Sequence, residues 1–280
     1  MTIFVANANG KVGQDLIAAL KAGGHDVRIG ARDVARARGA FPGIPVVAFD
    51  YDDVAAGAAA LDGITAVFTA APSWLVPDAE LALLDVAKAR GVRRIVKLSY
   101  LGAELHEEGG HRVSEKAIKA SGLEWTVLRP TFFNQNFSTM HRDAIRDGAF
   151  YEAAGDGASA FIDTRDIAAV AAKALTESGH HGQAYALTGS EALTRHEAAA
   201  RLSAALGRTV RYVPIDDAAL RQALVGVPQS QIELLSGLFA AVRAGHTAAT
   251  TDTVRTLLGR DPINFDRYAA DHVAVWRDAA

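Results

Sequence analysis

The chain has 280 residues, half of them apolar, and a formal net charge of −3. A chain of this size can bury the core of one domain, or of one domain with a lobe. Basic and acidic residues are interspersed, so we expect no nucleic-acid and no membrane partner. The absence of cysteine excludes disulfides, thiolate chemistry and cysteine-ligated metal sites.

Two features favour a cytoplasmic location. The first predicted strand begins at residue 2, which leaves no room for a signal peptide, and no apolar run is long enough to span a bilayer. We also expect no metal site. His106 and His111 are five residues apart with two glycines between them, so they do not share a helix face as a zinc pair would.

The chain opens on an apolar run at residues 3–6, a short turn and a helix with an apolar face. This order is typical of the entry to a dinucleotide-binding fold, where the N–H groups at the helix start hold a pyrophosphate. Gly10 would let the backbone approach the phosphates, and Gly13 would let the helix pack closely against the strand. The candidate cofactor contacts here are Asn7, Asn9, Gly10, Lys11, Val12 and Gly13.

Asn7 stands at the position that usually holds the first glycine of this turn. Asparagine tolerates the left-handed backbone that a tight turn can require, and its side chain can bond nearby backbone groups. The alternative is an ordinary strand–helix turn that binds no ligand.

The second predicted strand, residues 25–30, ends without the carboxylate that accepts a hydrogen bond from a free ribose 2′-hydroxyl. Arg32 follows instead, and a guanidinium suits a 2′-phosphate. The sequence therefore favours NADP(H) over NAD(H). The alternative is that Arg32 is one of several solvated arginines.

The third and fourth predicted strands, residues 45–49 and 64–69, end in candidate cofactor contacts. Asp50 could accept from the adenine amino group with Tyr51 beside the ring. Alternatively, Asp50 or Asp52 could cap a helix that begins near Val54. The fourth strand is followed by small residues, as a cofactor lying across the sheet edge requires. They are Ala70, Ala71 and Pro72.

Two more strands follow, residues 93–98 and 123–128, with a helix before each. The apolar residues of the first helix (residues 77–90) are Leu81, Leu84, Val86 and Ala87, and those of the second are Val113, Ala117 and Ile118. Six strands alternating with helices predict an α/β fold with a doubly wound parallel sheet.

After Pro130 the pattern changes to an aromatic and amide-rich segment, residues 131–137, where a nicotinamide and a substrate would meet. The candidate cofactor contacts are Pro130, Thr131 and Phe132, and the candidate substrate contacts are Trp74, Phe133 and Asn136. Asn134 and Asn136 could bond the substrate or the carboxamide, or cap the next helix. Asp163 and Asp166 are expected in a structural turn with a helix cap.

We predict a dinucleotide-binding domain over residues 1–132 and a smaller, mainly helical substrate lobe over 133–280, with residues 160–190 returning to the sheet. A short strand near residue 186 would extend that sheet, and one strand is expected at residues 210–213. The alanine-rich lobe is consistent with an apolar or aromatic small-molecule substrate.

Several segments resemble the NmrA-like atypical short-chain dehydrogenase/reductases, namely residues 9–13, 32–33, 99, 122–136 and 161–168. Within this group the chain is most similar to NADPH-dependent quinone reductases and the imine-reducing festuclavine synthase type. The resemblance implies a Rossmann core, a nicotinamide cofactor and a cleft under the C-terminal lobe. The family also includes redox-sensing regulators that bind the dinucleotide without catalysis.

One departure from the wider superfamily concerns the catalytic acid. None of the six tyrosines has a lysine four residues further on, so the usual tyrosine–lysine pair is missing. By resemblance, Ser99 stands at the position of the usual catalytic serine and is also a candidate cofactor contact. It would donate a hydrogen bond, unless it is simply a turn residue at the end of the strand. By the same resemblance, His111 stands at the position of the histidine of the quinone-reductase branch. His111 would donate a proton near neutral pH or orient the acceptor, unless it is simply an exposed residue at a helix start.

The sequence therefore predicts a monomeric or homodimeric oxidoreductase that transfers a hydride from NADPH to an activated acceptor such as a quinone or an imine. Such acceptors suit a site without the tyrosine–lysine pair, whereas a ketone would need a stronger acid. The alternative is a non-catalytic NADP(H)-sensing regulator of the NmrA type.

Overall fold

The computed structural model describes residues 1–277. The chain divides into two compact units. The first unit consists of Met1–Pro130 and Ile167–Ala186, and the second consists of Thr131–Asp166 and the chain from Leu187 onward.

The strands along the described chain are β1 Thr2–Val5, β2 Asp26–Ala31, β3 Val46–Ala48, β4 Ala66–Thr69, β5 Arg94–Leu98, β6 Glu124–Pro130, β7 Ala149–Glu152, β8 Ala158–Ser159, β9 Gln183–Leu187, β10 Leu193–Thr194 and β11 Arg211–Pro214. The helices are α1 Lys11–Ala22, α2 Val34–Ala40, α3 Asp78–Ala89, α4 Gly110–Lys119, α5 Gln135–Ser138, α6 Arg142–Arg146, α7 Thr164–Thr176, α8 Arg195–Leu206, α9 Asp217–Ala223, α10 Gln229–Arg243, α11 Thr253–Leu258 and α12 Phe265–His272.

A seven-stranded sheet in the order β3-β2-β1-β4-β5-β6-β9 organises the first unit. The neighbouring strands from β3 to β6 all pair in parallel. The order reverses direction between β1 and β4, which is where doubly wound sheets bind dinucleotides at their carboxyl edge. The predicted α/β fold with a doubly wound parallel sheet is confirmed.

The helix expected near Val54 does not form. Two 3₁₀ turns, Tyr51–Asp53 and Ala58–Leu61, connect β3 to β4 instead. The Asp50 carboxylate accepts from the N–H of Asp52, and Asp53 accepts from Ala56. These local bonds compete with helical hydrogen bonding, and they favour short turns over an α-helix.

Helices α3 and α4 bury partly different faces from those predicted. The buried residues of α3 are Ala79, Glu80, Leu83, Leu84 and Ala87, and those of α4 are Ser114, Glu115 and Ile118. Apolar residues alone do not mark these faces, because buried carboxylates on both helices have cationic partners on the sheet. The faces brought to the sheet therefore carry Glu80 and Glu115.

The second unit has two small sheets, with β10 antiparallel to β8 and β11 parallel to β7. Only β11 was predicted. The core of the second unit is rich in aromatic side chains, which include Phe137, Phe150, Phe161, Phe265, Tyr268 and Trp276. At the start of α7, Asp163 accepts from the backbone of Arg165 and from the side chain of Gln135, which confirms the predicted structural turn for Asp163. Asp166 lies within α7 and not in the turn before it. Over residues 1–277, no helix has the length and apolar character needed to cross a membrane.

Close packing of α1 against the end of β1 depends on Gly13. A Cβ at this position would lie 1.9 Å from the carbonyl oxygen of Asn7, so Gly13→Ala should lower the free energy of unfolding by about 1–3 kcal/mol. Urea denaturation measures the change.

The matched control is Gly39→Ala in α2, where a Cβ meets no described atom within 4 Å. This change should leave stability unchanged or raise it by up to about 1 kcal/mol, since alanine favours helix over glycine. Equal stability of Gly13→Ala and the wild type would contradict the packing described.

Candidate active site

The turn between β1 and α1 is tied to the end of the neighbouring strand β4. The side-chain nitrogen of Asn7 donates to the carbonyl of Ala70 at 2.8 Å, and the N–H of Gly10 donates to the carbonyl of Asn7 at 3.3 Å. No residue other than glycine has a positive φ within the described chain. The expectation that Asn7 serves a left-handed backbone is therefore wrong, and its side chain acts as a link between two strand ends.

Helix α1 begins without a side-chain cap. Gly10 occupies the N-cap, and the first turn carries no acidic residue. This start leaves N–H groups for an anion, as a pyrophosphate requires. Val12 is buried, so only its backbone can face a ligand. Burial lowers the pKa of Lys11 to about 8, and the exposed Asn9 accepts from Gln14 through its carbonyl.

Arg32 follows β2 directly and its side chain is exposed. It forms no hydrogen bond or ion pair with any part of the chain that the structure describes. The guanidinium is therefore available to an anionic ligand at the end of β2.

Asp50 and Tyr51 are engaged within the protein. Asp50 caps the turn that follows β3, which matches the capping alternative, although the capped element is a 3₁₀ turn. Tyr51 lies in the core with its ring edge-on to Phe49, and its hydroxyl bonds Thr69 at 2.9 Å and the N–H of Ala70 at 3.1 Å. A ring buried in this way does not present a face to an adenine, which corrects that expectation.

Residues 70–72 follow β4 as predicted. The N–H and the carbonyl of Ala70 are both bonded within the unit, to Tyr51 and Asn7. Ala71 is buried in the core, and Pro72 caps the 3₁₀ turn that carries Trp74. Trp74 is 59% exposed, which leaves its ring open to a ligand.

His111 lies in the first turn of α4 and contacts a buried ion pair. Its Nδ1 lies 3.3 Å from the Nζ of Lys97, and Lys97 is paired with Glu80. The side chains of Lys97 and Glu80 are fully buried. The ring of Tyr100 packs edge-on against the imidazole at 5.3 Å between centroids. A Cβ at Gly110 would lie 2.5 Å from the carbonyl of Val76, so glycine permits this close approach of α4.

The environment of His111 keeps its imidazole neutral. Burial, and then the charge of Lys97, lower the pKa of His111 to about 4, against the opposing charges of Glu80 and Glu115. The expectation that this histidine titrates near neutrality is therefore wrong. A lysine ammonium can only donate, so Nδ1 accepts and the single imidazole proton resides on Nε2. His111 thus presents an N–H donor at neutral pH.

Ser99 follows β5 and belongs to a second buried polar cluster. Its hydroxyl donates to Glu115 at 2.7 Å, and Arg129 donates to the same carboxylate, with Nε 3.0 Å away. Burial would raise the pKa of Glu115, but the hydrogen bonds from Arg129 and Ser99 hold it below its ordinary value. With its proton directed to Glu115, Ser99 has only oxygen lone pairs for a ligand.

Pro130 ends β6, and its carbonyl accepts from the N–H of Leu101 in the first unit. The second unit begins with Thr131, whose buried hydroxyl has no hydrogen-bond partner within residues 1–277. Both polar atoms of the buried Asn134 amide are likewise without a partner in that range. Asn134 occupies the N-cap of α5 without a side-chain bond, so the capping alternative does not apply to it.

Phe132 and Phe133 have different surroundings in the second unit. Phe132 stacks on Phe239 and lies against the guanidinium of the fully buried Arg195, 5.1 Å from the ring centroid. Phe133 forms an isolated bridge to Ile162. Both rings, and Asn136, are partly exposed. Trp74, the third predicted substrate contact, belongs to the first unit.

A model of an NAD(P)H-binding family matches residues 8–178 of the chain. The chain is 37% identical to an NAD(P)H azoreductase from Xenophilus azovorans, over 98% of this chain and 99% of that protein. The chain belongs to this NAD(P)H-binding family. Its resemblance to the NmrA-like reductases is confirmed, and it is an NAD(P)H-dependent oxidoreductase.

Quinone oxidoreductase 2 from Escherichia coli is 32% identical over 92% of this chain and 93% of its own length. A crystal structure of the Escherichia coli enzyme QOR2 complexed with NADPH superposes with a TM-score of 0.81. That match has 29% sequence identity and covers 96% of this chain and 99% of the other. In doubly wound sheets, dinucleotides bind outside the carboxyl ends of the strands, next to the start of a helix.

Sequence reasoning missed three charged residues of the first unit, Glu80, Lys97 and Glu115. Lys97 carried a usable signal, because a lysine between the apolar residues Val96 and Leu98 of a central strand must meet a counter-ion. Glu80 and Glu115 carried no such signal, because in the sequence each looks like an ordinary charged residue on the solvent face of a helix. No group of three or more potential metal ligands occurs in the described residues.

The neutral state of His111 predicts a pH-dependent stability. Between about pH 6.5 and 4 the unfolded chain protonates this histidine and the folded protein does not, so the unfolded state binds more protons. The stability contributed above about pH 6.5 is therefore lost as the pH falls. The free energy of unfolding of the wild type, minus that of His111→Gln, should fall by about 1–3 kcal/mol from pH 7 to pH 4.

Urea denaturation at several pH values measures this difference. His106→Gln is the matched control, because the side chain of His106 is exposed, and it should give a difference that does not vary with pH. A constant difference for His111→Gln would contradict a buried neutral imidazole.

Proposed function

We propose that the protein transfers a hydride from NADPH to a small activated acceptor, a quinone or an imine. The observation that carries this proposal is the neutral His111 with its proton on Nε2, next to the carboxyl end of β5. A quinone needs a hydride and a proton, and an imine is already electrophilic, so a weak acid suffices for both. A ketone would require a stronger acid, and burial raises the pKa of the adjacent Tyr100.

The bound nicotinamide would supply the hydride, and the chain's own residues would hold the reactants. The start of α1, with Gly10 and Lys11, would bind the pyrophosphate. Thr131 and Phe132 would adjoin the nicotinamide, and Trp74, Phe133 and Asn136 would contact the acceptor. These aromatic side chains favour an apolar or aromatic acceptor. Cytoplasmic location and a monomeric or homodimeric state stay predictions.

The names of two relatives support an acceptor of this class. The relative from Xenophilus azovorans is named an NAD(P)H azoreductase, and the one from Escherichia coli a quinone oxidoreductase. Azo compounds and quinones are both conjugated acceptors that take up a hydride and a proton.

The primary test is the consumption of NADPH, followed by absorbance, with p-benzoquinone, a cyclic imine and a simple ketone as acceptors. We expect turnover with the quinone or the imine and none with the ketone. Tight binding of NADP(H) without turnover of any acceptor would overturn the reductase and favour a dinucleotide sensor.

Arg32 is proposed to set the preference for NADPH, because it is exposed, unpaired within the described residues and placed directly after β2. Arg32→Ala should raise the KM for NADPH by at least about tenfold, since a charge-assisted contact contributes about 1.5–3 kcal/mol. The KM for NADH should change little, because NADH has no 2′-phosphate. Steady-state kinetics with both cofactors measures the effect.

Arg38→Ala removes an equal charge from the last turn of α2 and serves as the control, which should leave both KM values unchanged. Equal effects of Arg32→Ala on the two cofactors would contradict recognition of the 2′-phosphate while leaving the reductase proposal intact.

A further inference from the structure

A buried ion pair joins Lys97 and Glu80 in the first unit. Lys97 lies in the central strand β5 and Glu80 in α3, and both side chains are fully buried. Removing two charges from water is unfavourable, and well-packed apolar residues of similar volume often stabilise a protein as well or better. A charged pair at a buried position therefore suggests a chemical role. The groups that contact the pair indicate what that role is.

Lys97 connects the pair to the proposed proton donor. Its Nζ lies 3.3 Å from Nδ1 of His111, on the side of the imidazole opposite to Nε2. Nε2 has no hydrogen-bond partner among the described residues, and the ring is partly exposed. The Nδ1 atom of the imidazole therefore contacts the ammonium group of Lys97, and the Nε2 atom is available to a ligand.

A chain of hydrogen bonds links Glu80 to Asn7 of the predicted cofactor turn. Its Oε1 lies 3.5 Å from the hydroxyl of Thr69, which bonds the hydroxyl of Tyr51 at 2.9 Å. Tyr51 accepts from the N–H of Ala70, whose carbonyl is held by Asn7. Groups at the end of β4 thus hold the Glu80 carboxylate in place. The carboxylate in turn holds the ammonium of Lys97 against His111.

We propose that Lys97 is the proton reservoir of the reductase and that it acts through His111, with Glu80 as the counter-ion that holds it in place. The inference rests on the proposed function, because it concerns the proton that a quinone requires in addition to the hydride. His111 is the catalytic residue in this scheme, and Lys97 and Glu80 are positioning residues.

The acceptor takes up one proton for each hydride. Hydride uptake from the reduced nicotinamide converts a neutral quinone into a hydroquinone monoanion. The N–H bond at Nε2 of His111 breaks and an O–H bond forms on that anion, while Nδ1 takes a proton from Nζ of Lys97. The imidazole stays neutral throughout, the ammonium becomes an amine beside the Glu80 carboxylate, and the product leaves as a neutral hydroquinone. Water then returns a proton through the partly exposed imidazole.

In this relay His111 never becomes a cation, which agrees with the lowered pKa of its imidazole. The charged and titratable groups facing His111 are Lys97 from β5, Glu80 from α3, Glu115 from α4 and Tyr100 from the loop after β5. Because the imidazole is neutral at rest, the rate should not follow a histidine titration near neutral pH.

The test is the pH profile of kcat for p-benzoquinone reduction, with the non-enzymatic rate subtracted. The wild type should give a constant kcat between about pH 5.5 and 8. The double variant Glu80→Gln/Lys97→Met replaces the pair with neutral side chains of similar size. In this variant the proton for the acceptor must come from solvent acid. The kcat should therefore fall about tenfold for each unit by which the pH rises, and it should be about 100-fold below the wild type at pH 8.

The matched control is Asp85→Asn/Lys88→Met, which removes the same two charges from exposed positions of α3 and should retain the wild-type profile. A thermal melt verifies that each variant is folded. His111→Gln, which keeps an N–H donor but cannot relay a proton, gives a second test and should reproduce the slope of the double variant.

A double variant that is as active as the wild type, or slower by the same factor at every pH, would overturn the relay, since a purely structural role predicts a pH-independent loss. Either outcome leaves the proposed function standing, because the wild type still reduces the quinone. A wild type that binds NADPH and reduces no acceptor would overturn the proposed function itself, and the relay with it.

Discussion

The buried ion pair between Lys97 and Glu80 is the constraint on which the first unit's chemistry depends. A lysine inside a central parallel strand needs a counter-ion, and α3 can supply Glu80 only by turning this residue, with Ala79 and Leu83, toward the sheet. The ammonium then lies against His111 and determines which imidazole nitrogen carries the proton. The ion pair thus links the orientation of α3 about its axis to the tautomer of His111.

The same principle applies to α4, where Glu115 is buried against Arg129 and Ser99. Both helices that flank β5 therefore bring a carboxylate to the sheet, where Glu80 pairs with Lys97 and Glu115 with Arg129. Removing one partner of such a pair leaves a buried charge uncompensated, which costs about 3–5 kcal/mol. Each of these ion pairs also holds a neighbouring polar side chain, since Lys97 contacts His111 and Glu115 accepts from Ser99.

The fold could be predicted from the sequence because parallel strands in a doubly wound sheet are continuous apolar runs separated by helices. The run at residues 3–6, the glycine at position 13 and the arginine after β2 have the expected places. The buried faces of α3 and α4 could not be predicted from apolar residues alone, because Glu80 and Glu115 become buried only through partners distant in sequence. The left-handed backbone expected at Asn7 and the adenine contact expected at Tyr51 failed for a related reason, since both side chains bond Ala70 instead.

The proton relay depends on the protonation state of His111, which nitrogen NMR measures. With ¹⁵N-labelled histidine, and with His111→Gln used to assign its signals, Nε2 should appear protonated and Nδ1 as an unprotonated acceptor, with no titration between about pH 5.5 and 8. A midpoint near pH 6.5, or a proton on Nδ1, would contradict the donated hydrogen bond from Lys97 and the proton relay built on it.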